Sequence, residues 1–307
     1  MEYQVTTQLF VNPTTGVKVS TNFWTTSEAV GTIIFAHATG FHKEIWNPTL
    51  LHLKDAAIKY NFITYDVRNH GDSALENLSL LSEKCEWRIL SEDMLEFLEQ
   101  IKVKRPLIGV GHSMGGCTTL LAEELKPNTF DGIIALEPVL RAGLFPKAGK
   151  LLVESARKRR SVWETRQSVK EYFESRKFFD SWDAQVLDEY VNHGTYLNPE
   201  GKIELKCSPK QESATFAGSL ETSEYCFKHL NSIQVPVLFV GGSSSNTVPS
   251  DMISVYAKQC NRGISRIIPG QHLIPQEQPE NTAQIISKFV TTFFKQSTKS
   301  DKIRSNL

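Results

Sequence analysis

The chain has 307 residues, 40% of them hydrophobic and 22% charged, which fits one large α/β domain with an insertion or two small domains. Lysine plus arginine and aspartate plus glutamate balance at 34 each, so the charge gives no reason to expect a nucleic-acid partner. Five scattered cysteines (Cys85, Cys117, Cys207, Cys226 and Cys260) without C-x-x-C spacing predict a reduced compartment and no metal site, and neither a secretory signal nor a stable membrane insertion is expected.

Taken in chain order, Val5–Val11 and Val17–Phe23 read as strands joined by the turn-rich Asn12-Pro13-Thr14-Thr15-Gly16. Thr32–Ala36 is a β-branched apolar run, and it ends in the loop His37-Ala38-Thr39-Gly40-Phe41-His42. A helical pattern covers Ile45–Tyr60, and Phe62–Tyr65 is the next strand. The polar stretch Asp66–Ser73 reads as a hydrogen-bonded turn, and Trp87–Ile101 as a helix with Leu90, Met94, Phe97 and Leu98 facing inward. Leu107–Gly111 is an apolar strand running straight into a helical pattern that begins at Met114.

Gly132–Leu136 is another buried strand, followed by Glu137-Pro138. From there to about Ser232 the chain reads as mostly helical and rich in aromatics, with Lys158-Arg159-Arg160 as a solvated helix end. Strand character returns at Val235–Val240 and Arg266–Ile268, with a helix at Ile253–Gln259 between them and an amphipathic helix over Thr282–Phe294. Alternating strands and helices predict an α/β fold, a mainly parallel sheet with helices on both faces and the first two strands pairing antiparallel at one edge. Residues 1–137 and 233–307 are expected to form the core. Residues 138–232 are expected to form a helical cap over the carboxyl ends of the strands, where such sheets bind ligands.

The chemistry starts at Gly111-His112-Ser113-Met114-Gly115, which fits the G-x-S-x-G nucleophile elbow in its required strand–turn–helix context. A chain turning from strand directly into helix strains the apex residue and leaves no room for side chains beside it, hence the glycines. The serine hydroxyl then stands at the positive end of a helix. A serine needs a base, and among eight histidines His272 is the candidate because it follows the last strand in a glycine-containing loop.

The base needs a carboxylate, which in this chain order normally follows the strand Val235–Val240. The sequence there is Gly241-Gly242-Ser243-Ser244-Ser245-Asn246-Thr247-Val248-Pro249, without an acid. Glu137, at the end of the preceding strand, is the first candidate. Asp251, in the first turn of a helix, is the alternative, and a site without any carboxylate is the third reading. Met114 and Thr39 are expected to offer their N–H groups to an oxyanion. His112, Phe41 and Phe145 are expected to line the substrate pocket, and His37 to brace its loop.

These blocks resemble the α/β-hydrolase superfamily over nearly the whole chain. The carriers are His37-Ala38-Thr39-Gly40-Phe41, Asp66–Ser73, Gly111–Gly115, and His272 ahead of Pro275-Gln276-Glu277-Gln278-Pro279. Within it, Ala38–Glu44, Leu136-Glu137-Pro138 and Leu205-Lys206-Cys207 are similar to a fungal group that includes a peroxisomal lipase and toxin-biosynthesis-like proteins. The resemblance implies hydrolysis of a small-molecule acyl substrate without metal or organic cofactor. Ala38 departs from the usual glycine, and Ser245 stands where many members carry the acid. Some relatives carry the acid before the cap instead, as Glu137 would. Ser305-Asn306-Leu307 resembles the S-K-L address read by the peroxisomal import receptor, so the expected location is peroxisomal or cytoplasmic. The rival readings are a binding protein on a hydrolase frame that has lost catalysis, or a thioesterase or carbon–carbon bond hydrolase.

Overall fold

The computed structural model describes residues 2–140 and 146–294. Strands β1 (Gln4–Val11) and β2 (Lys18–Thr25) form an antiparallel hairpin in continuous register from Gln4 opposite Thr25 to Val11 opposite Lys18. Its turn is made by Asn12, whose side chain accepts the amides of Thr14 and Thr15, and by Gly16 at a φ of 71°. Strands β3 (Thr32–Ala36), β4 (Asn61–Tyr65), β5 (Leu107–His112) and β6 (Gly132–Leu136) follow. Between β6 and the next long strand, three short strands, β7 (Val162–Trp163), β8 (Thr195–Leu197) and β9 (Ile203–Leu205), pair antiparallel in the order β7-β9-β8. Then come β10 (Val237–Gly242) and β11 (Gly263–Ile268).

Helices α1 (Asn47–Asp55), α2 (Gly71–Glu76), α3 (Trp87–Glu99) and α4 (Met114–Leu125) precede the insertion. Helices α5 (Pro146–Lys158), α6 (Arg166–Glu174), α7 (Ala184–His193), α8 (Pro209–Ala217) and α9 (Ser219–Lys228) lie within it. Helices α10 (Ser250–Gln259), α11 (Ile274–Glu277) and α12 (Pro279–Phe293) close the chain. The large sheet has the order β1-β2-β4-β3-β5-β6-β10-β11, and every pair from β4 onward is parallel.

The inner parallel strands β3, β5, β6 and β10 are buried along their whole length because both faces are covered, whereas the edge strand β11 is largely exposed. The period-two alternation of side chains sorts them into two cores. Ile33, Phe35, Ile108, Val110, Ile134 and Leu136 face one side, with Leu50 and Leu53 of α1 and Ile286 and Phe289 of α12. Ile34, Ala36, Ile133, Ala135, Val237 and Phe239 face the other, with Leu90 and Met94 of α3, Leu120 and Leu121 of α4, and Ile253 of α10. Each buried valine, leucine, isoleucine, phenylalanine or methionine among them is worth about 1.5–3 kcal/mol over an exposed one. A one-residue slip of any strand would exchange the two faces.

Three details differ from the sequence expectations. The helical pattern at Ile45–Tyr60 yields a short tight turn over Lys43–Trp46 and then α1, which stops early because Ala57 adopts a φ of 55°. The insertion is not purely helical, since β7, β8 and β9 are two or three residues long and too short to show a periodicity. It is also packed in two places. Trp163, Phe173, Trp182 and Tyr190 continue the first core, whereas Ala214 of α8 and Cys226 of α9 belong to the second.

Candidate active site

The geometry begins where β5 turns into α4. Ser113 sits between them at φ 55° and ψ −112°, a conformation that only surrounding structure can impose on a residue with a side chain. The neighbouring glycines are explained by space. A Cβ on Gly111 would lie 2.2 Å from the Gly115 carbonyl oxygen, and one on Gly115 would lie 2.2 Å from the carbonyl oxygen of Ala36 in β3. The amide of Ser113 donates to the Leu136 carbonyl at 3.0 Å, which ties the elbow to the end of β6.

One residue past Leu136, Glu137 adopts a φ of 49°, a second strained non-glycine position beside the first. The bend turns its fully buried carboxylate toward the loops after β10 and β11. Oε1 accepts the amide of Gly242 at 2.6 Å, and Oε2 accepts the hydroxyl of Ser245 at 2.7 Å. Oε2 also receives His272 Nδ1–H at 3.0 Å. On the other side of the ring, His272 Nε2 lies 3.0 Å from Ser113 Oγ, which donates to it. With a carboxylate fixing the proton on Nδ1, Nε2 is left free to accept. Ser113, His272 and Glu137 thus form one continuous hydrogen-bonded chain drawn from three strand ends. Asp251 lies exposed in the first turn of α10.

His112, expected to line a pocket, is fully buried and donates Nε2–H to the His272 carbonyl at 2.9 Å. Burial first, and the neighbouring His272 second, push its pKa down to about 3, so the ring is a neutral brace for the histidine loop. Phe41, also expected in the pocket, stacks on His112 with centroids 6.5 Å apart and meets Trp182 and Tyr190 edge-on at 5.4 and 5.8 Å. Phe145 and Ser305-Asn306-Leu307 lie outside the described residues.

The loop after β3 is held from behind. His37 accepts the Val67 amide on Nε2 at 3.2 Å and donates Nδ1–H to the Ala38 carbonyl at 2.8 Å. His70 accepts the Gly40 amide on Nε2 at 2.8 Å and meets Asn69 Oδ1 through Nδ1 at 2.9 Å. Both rings are completely buried, and burial pushes His37 down to about 4 and His70 well below its usual value. Only a neutral ring has the lone pair these amides need. Thr39, expected to supply an oxyanion donor, is next to the other expected donor, since its hydroxyl reaches Met114 Sδ at 3.4 Å. Among the described residues no hydrogen-bond acceptor is paired with the Thr39 or the Met114 amide.

The polar stretch after β4 is structural. Asp66 joins a buried ion cluster with Lys43, and Arg68 forms a two-pronged pair with Asp93 at 2.6 and 2.5 Å. The bracing role of His70 and the hydroxyl that Ser245 gives to Glu137 were not legible in the sequence, because each depends on a neighbour distant in the chain. The expectation of a solvated Lys158-Arg159-Arg160 end fails at its middle residue. Arg159 turns inward to bond Glu212 and the Tyr190 hydroxyl.

An eight-stranded, mostly parallel sheet with a serine at a strand–helix elbow and a histidine after the last strand defines the α/β-hydrolase class. The alpha/beta hydrolase family model matches residues 33–285, so the chain belongs to that family. It is 24% identical over 290 residues to peroxisomal membrane protein LPX1 of Saccharomyces cerevisiae, covering 85% of this chain and 75% of that one. It is 28% identical over 262 residues to 3-oxoadipate enol-lactonase 1 of Acinetobacter baylyi, covering 84% and 88%. It is also 25% identical over 209 residues to the type I acyl-CoA thioesterase mpaH of Penicillium brevicompactum, covering 63% of this chain and 48% of that one. The solved structure of the Saccharomyces cerevisiae peroxisomal alpha-beta-hydrolase Lpx1 shares the fold, with a TM-score of 0.82 at 20% identity over 97% of this chain and 91% of that one.

Proposed function

We propose that the chain is a serine hydrolase that cleaves an ester or related acyl bond of an apolar substrate, with Ser113, His272 and Glu137 as its triad. The observation that carries this reading is the unbroken chain of two 3.0 Å contacts from Ser113 Oγ through His272 to Glu137. In this reading Ser113 Oγ attacks the acyl carbonyl as its proton passes to His272 Nε2. Glu137 stays ionised and stabilises the imidazolium. The amides of Met114 and Thr39 hold the oxyanion, and the protonated His272 then gives its proton to the leaving group. Water releases the acyl group from Ser113 by the same relay. Relatives named as an enol-lactonase and an acyl-CoA thioesterase make lactones and thioesters the substrates to assay beside simple esters.

A fluorophosphonate probe tests the assignment of the nucleophile. The native protein is expected to label on Ser113, and folded Ser113→Ala to lose labelling together with about 10⁴-fold or more of its p-nitrophenyl ester hydrolysis. Undiminished labelling of Ser113→Ala would remove Ser113 from the mechanism.

We further propose that the chain is a peroxisomal protein addressed by Ser305-Asn306-Leu307, a reading supported by its likeness to a protein named as peroxisomal. An N-terminally fluorescent chain should collect in peroxisomes and spread to the cytosol when those three residues are removed. Retention in peroxisomes after the truncation would assign the address elsewhere.

A further inference from the structure

The loop that carries Thr39 is gripped by helix α8 of the insertion from two directions. On one side, Gln211 and Thr215 of α8 receive Asn69 Nδ2, the amide to the Thr215 hydroxyl at 2.7 Å and to the Gln211 carbonyl at 3.3 Å. Asn69 in turn meets His70 at 2.9 Å, and His70 accepts the Gly40 amide at 2.8 Å. On the other side, the Glu212 carboxylate packs directly on the Gly40 backbone, where a Cβ would lie 2.9 Å from Glu212 Oε1. Gly40 has a φ of 85°, so it combines a left-handed backbone with a contact that leaves no room for a side chain.

Glu212 does not hold this position alone. Arg159, at the end of α5, donates Nη1–H to Glu212 Oε2 at 2.5 Å and Nη2–H to the Tyr190 hydroxyl of α7 at 2.8 Å. Tyr190 is buried edge-on against Phe41, the residue after Gly40. One guanidinium therefore fixes three helices of the insertion (α5, α7 and α8) against two consecutive residues of the loop. Arginine suits this task because its planar fork addresses two acceptors at fixed angles, which a lysine cannot do.

Resting on the serine-hydrolase reading above, we propose that Arg159, acting through Glu212 and Tyr190, is a positioning residue that fixes the backbone at Gly40 and with it the aim of the neighbouring Thr39 N–H, and so links the seating of the insertion to oxyanion stabilisation. None of the three needs to touch the reacting atoms. Arg159 and Glu212 act on the backbone one residue away from the proposed donor. An amide displaced by a fraction of an ångström stabilises an oxyanion poorly while leaving ground-state substrate binding largely intact.

The test compares native protein with Arg159→Ala, Glu212→Gln and Tyr190→Phe on a p-nitrophenyl ester and on a trifluoromethyl ketone, which needs the oxyanion donors once Ser113 adds to it. Arg159→Ala is expected to lower kcat about 10- to 100-fold with KM within about 2-fold, and to weaken the ketone by a similar factor. Arg159→Lys should recover only a small part of that loss. If Arg159→Ala does not fold, Glu212→Gln and Tyr190→Phe still keep the packing, and each is expected to lower kcat and ketone affinity several-fold together. A raised KM with unchanged kcat, or a lowered melting temperature with unchanged kcat and ketone affinity, overturns the proposal. Native protein that neither hydrolyses the ester nor takes the probe overturns the serine-hydrolase reading itself, whereas active native protein with unaffected variants overturns the positioning role alone.

Discussion

Glu137→Gln is expected to lower kcat by about 10³- to 10⁴-fold with little change in KM, because the substitution forces the wrong proton onto His272. The carboxylate accepts from three donors, the Gly242 amide on Oε1 and the Ser245 hydroxyl and His272 Nδ1–H on Oε2, and an amide cannot accept at both of its ends. Oε1 accepts the Gly242 amide at 2.6 Å, so an –NH₂ placed there would face another donor. The glutamine must therefore keep its oxygen at Gly242 and turn its –NH₂ toward His272 Nδ1 and Ser245. Ser245 can rotate its hydroxyl and accept. His272 can accept only by moving its own proton to Nε2, and a protonated Nε2 cannot receive the proton of Ser113. Geometry survives while the base is disabled. Asp251→Asn, on an exposed turn of α10, should leave kcat within about 2-fold, as surface changes far from a site do. The check is steady-state kinetics of both variants with melting curves alongside. Equal activity of native protein and Glu137→Gln would detach the carboxylate from the relay.

The same residues explain what could be read from the sequence and what could not. The elbow is a local event. Its glycines, its serine and the switch from strand to helix fall within ten residues, so Ser113 was legible directly. His272 was legible from its place after the last strand. Glu137 is legible as a candidate because the loop after β10 lacks an acid and β6 is followed directly by one, and each of these facts is local to its own stretch of chain. In the sequence Ser245 is visible only as the residue that stands where many members carry the acid. That its hydroxyl would come to rest on Glu137 depends on the pairing of β6 with β10, which no spacing encodes. His70 and Arg159 fail to announce themselves for the same reason. A histidine that lends a lone pair to a distant amide, and an arginine that turns inward from a basic cluster, look like any other loop histidine and solvated helix end until their partners are known. The strands of the insertion are invisible because two or three residues cannot show alternation.

The fold carries one more liability that the site depends on, and it predicts the larger effect on stability. Lys43 is fully buried immediately after the His37–His42 loop, and its ammonium meets Asp66 at 2.9 Å, Glu44 at 2.9 Å and Asp72 at 2.5 Å. Burial opposes the charge, but Asp66, Glu44 and Asp72 together outweigh it and hold the lysine pKa above its usual value. The backbone joins the cluster too, since Asp66 also accepts the amides of Lys43 at 2.7 Å and Asp72 at 2.8 Å. Lys206, following β9 in the insertion, caps the free side of Asp72. Lys43→Met preserves the length of the stem and removes only the cation. It leaves Asp66 wholly buried with its charge unbalanced, and losing one partner of a buried pair costs about 3–5 kcal/mol.

The sign with pH follows from Asp66. Burial raises its carboxyl pKa above the unfolded value even with the lysine present, and removing the cation raises it further. A carboxyl raised on folding lowers stability in full above its folded pKa, and the loss shrinks as pH falls from there and vanishes below the unfolded pKa. The penalty of Lys43→Met should therefore be larger at pH 7 than near pH 4, and Lys43→Met combined with Asp66→Asn should recover part of it at pH 7. Urea unfolding of the two variants at both pH values measures this. A loss below about 1 kcal/mol, or one that does not shrink on acidification, would mean that the carboxylates find other partners and that the cation is dispensable to the loop beneath the candidate oxyanion donors.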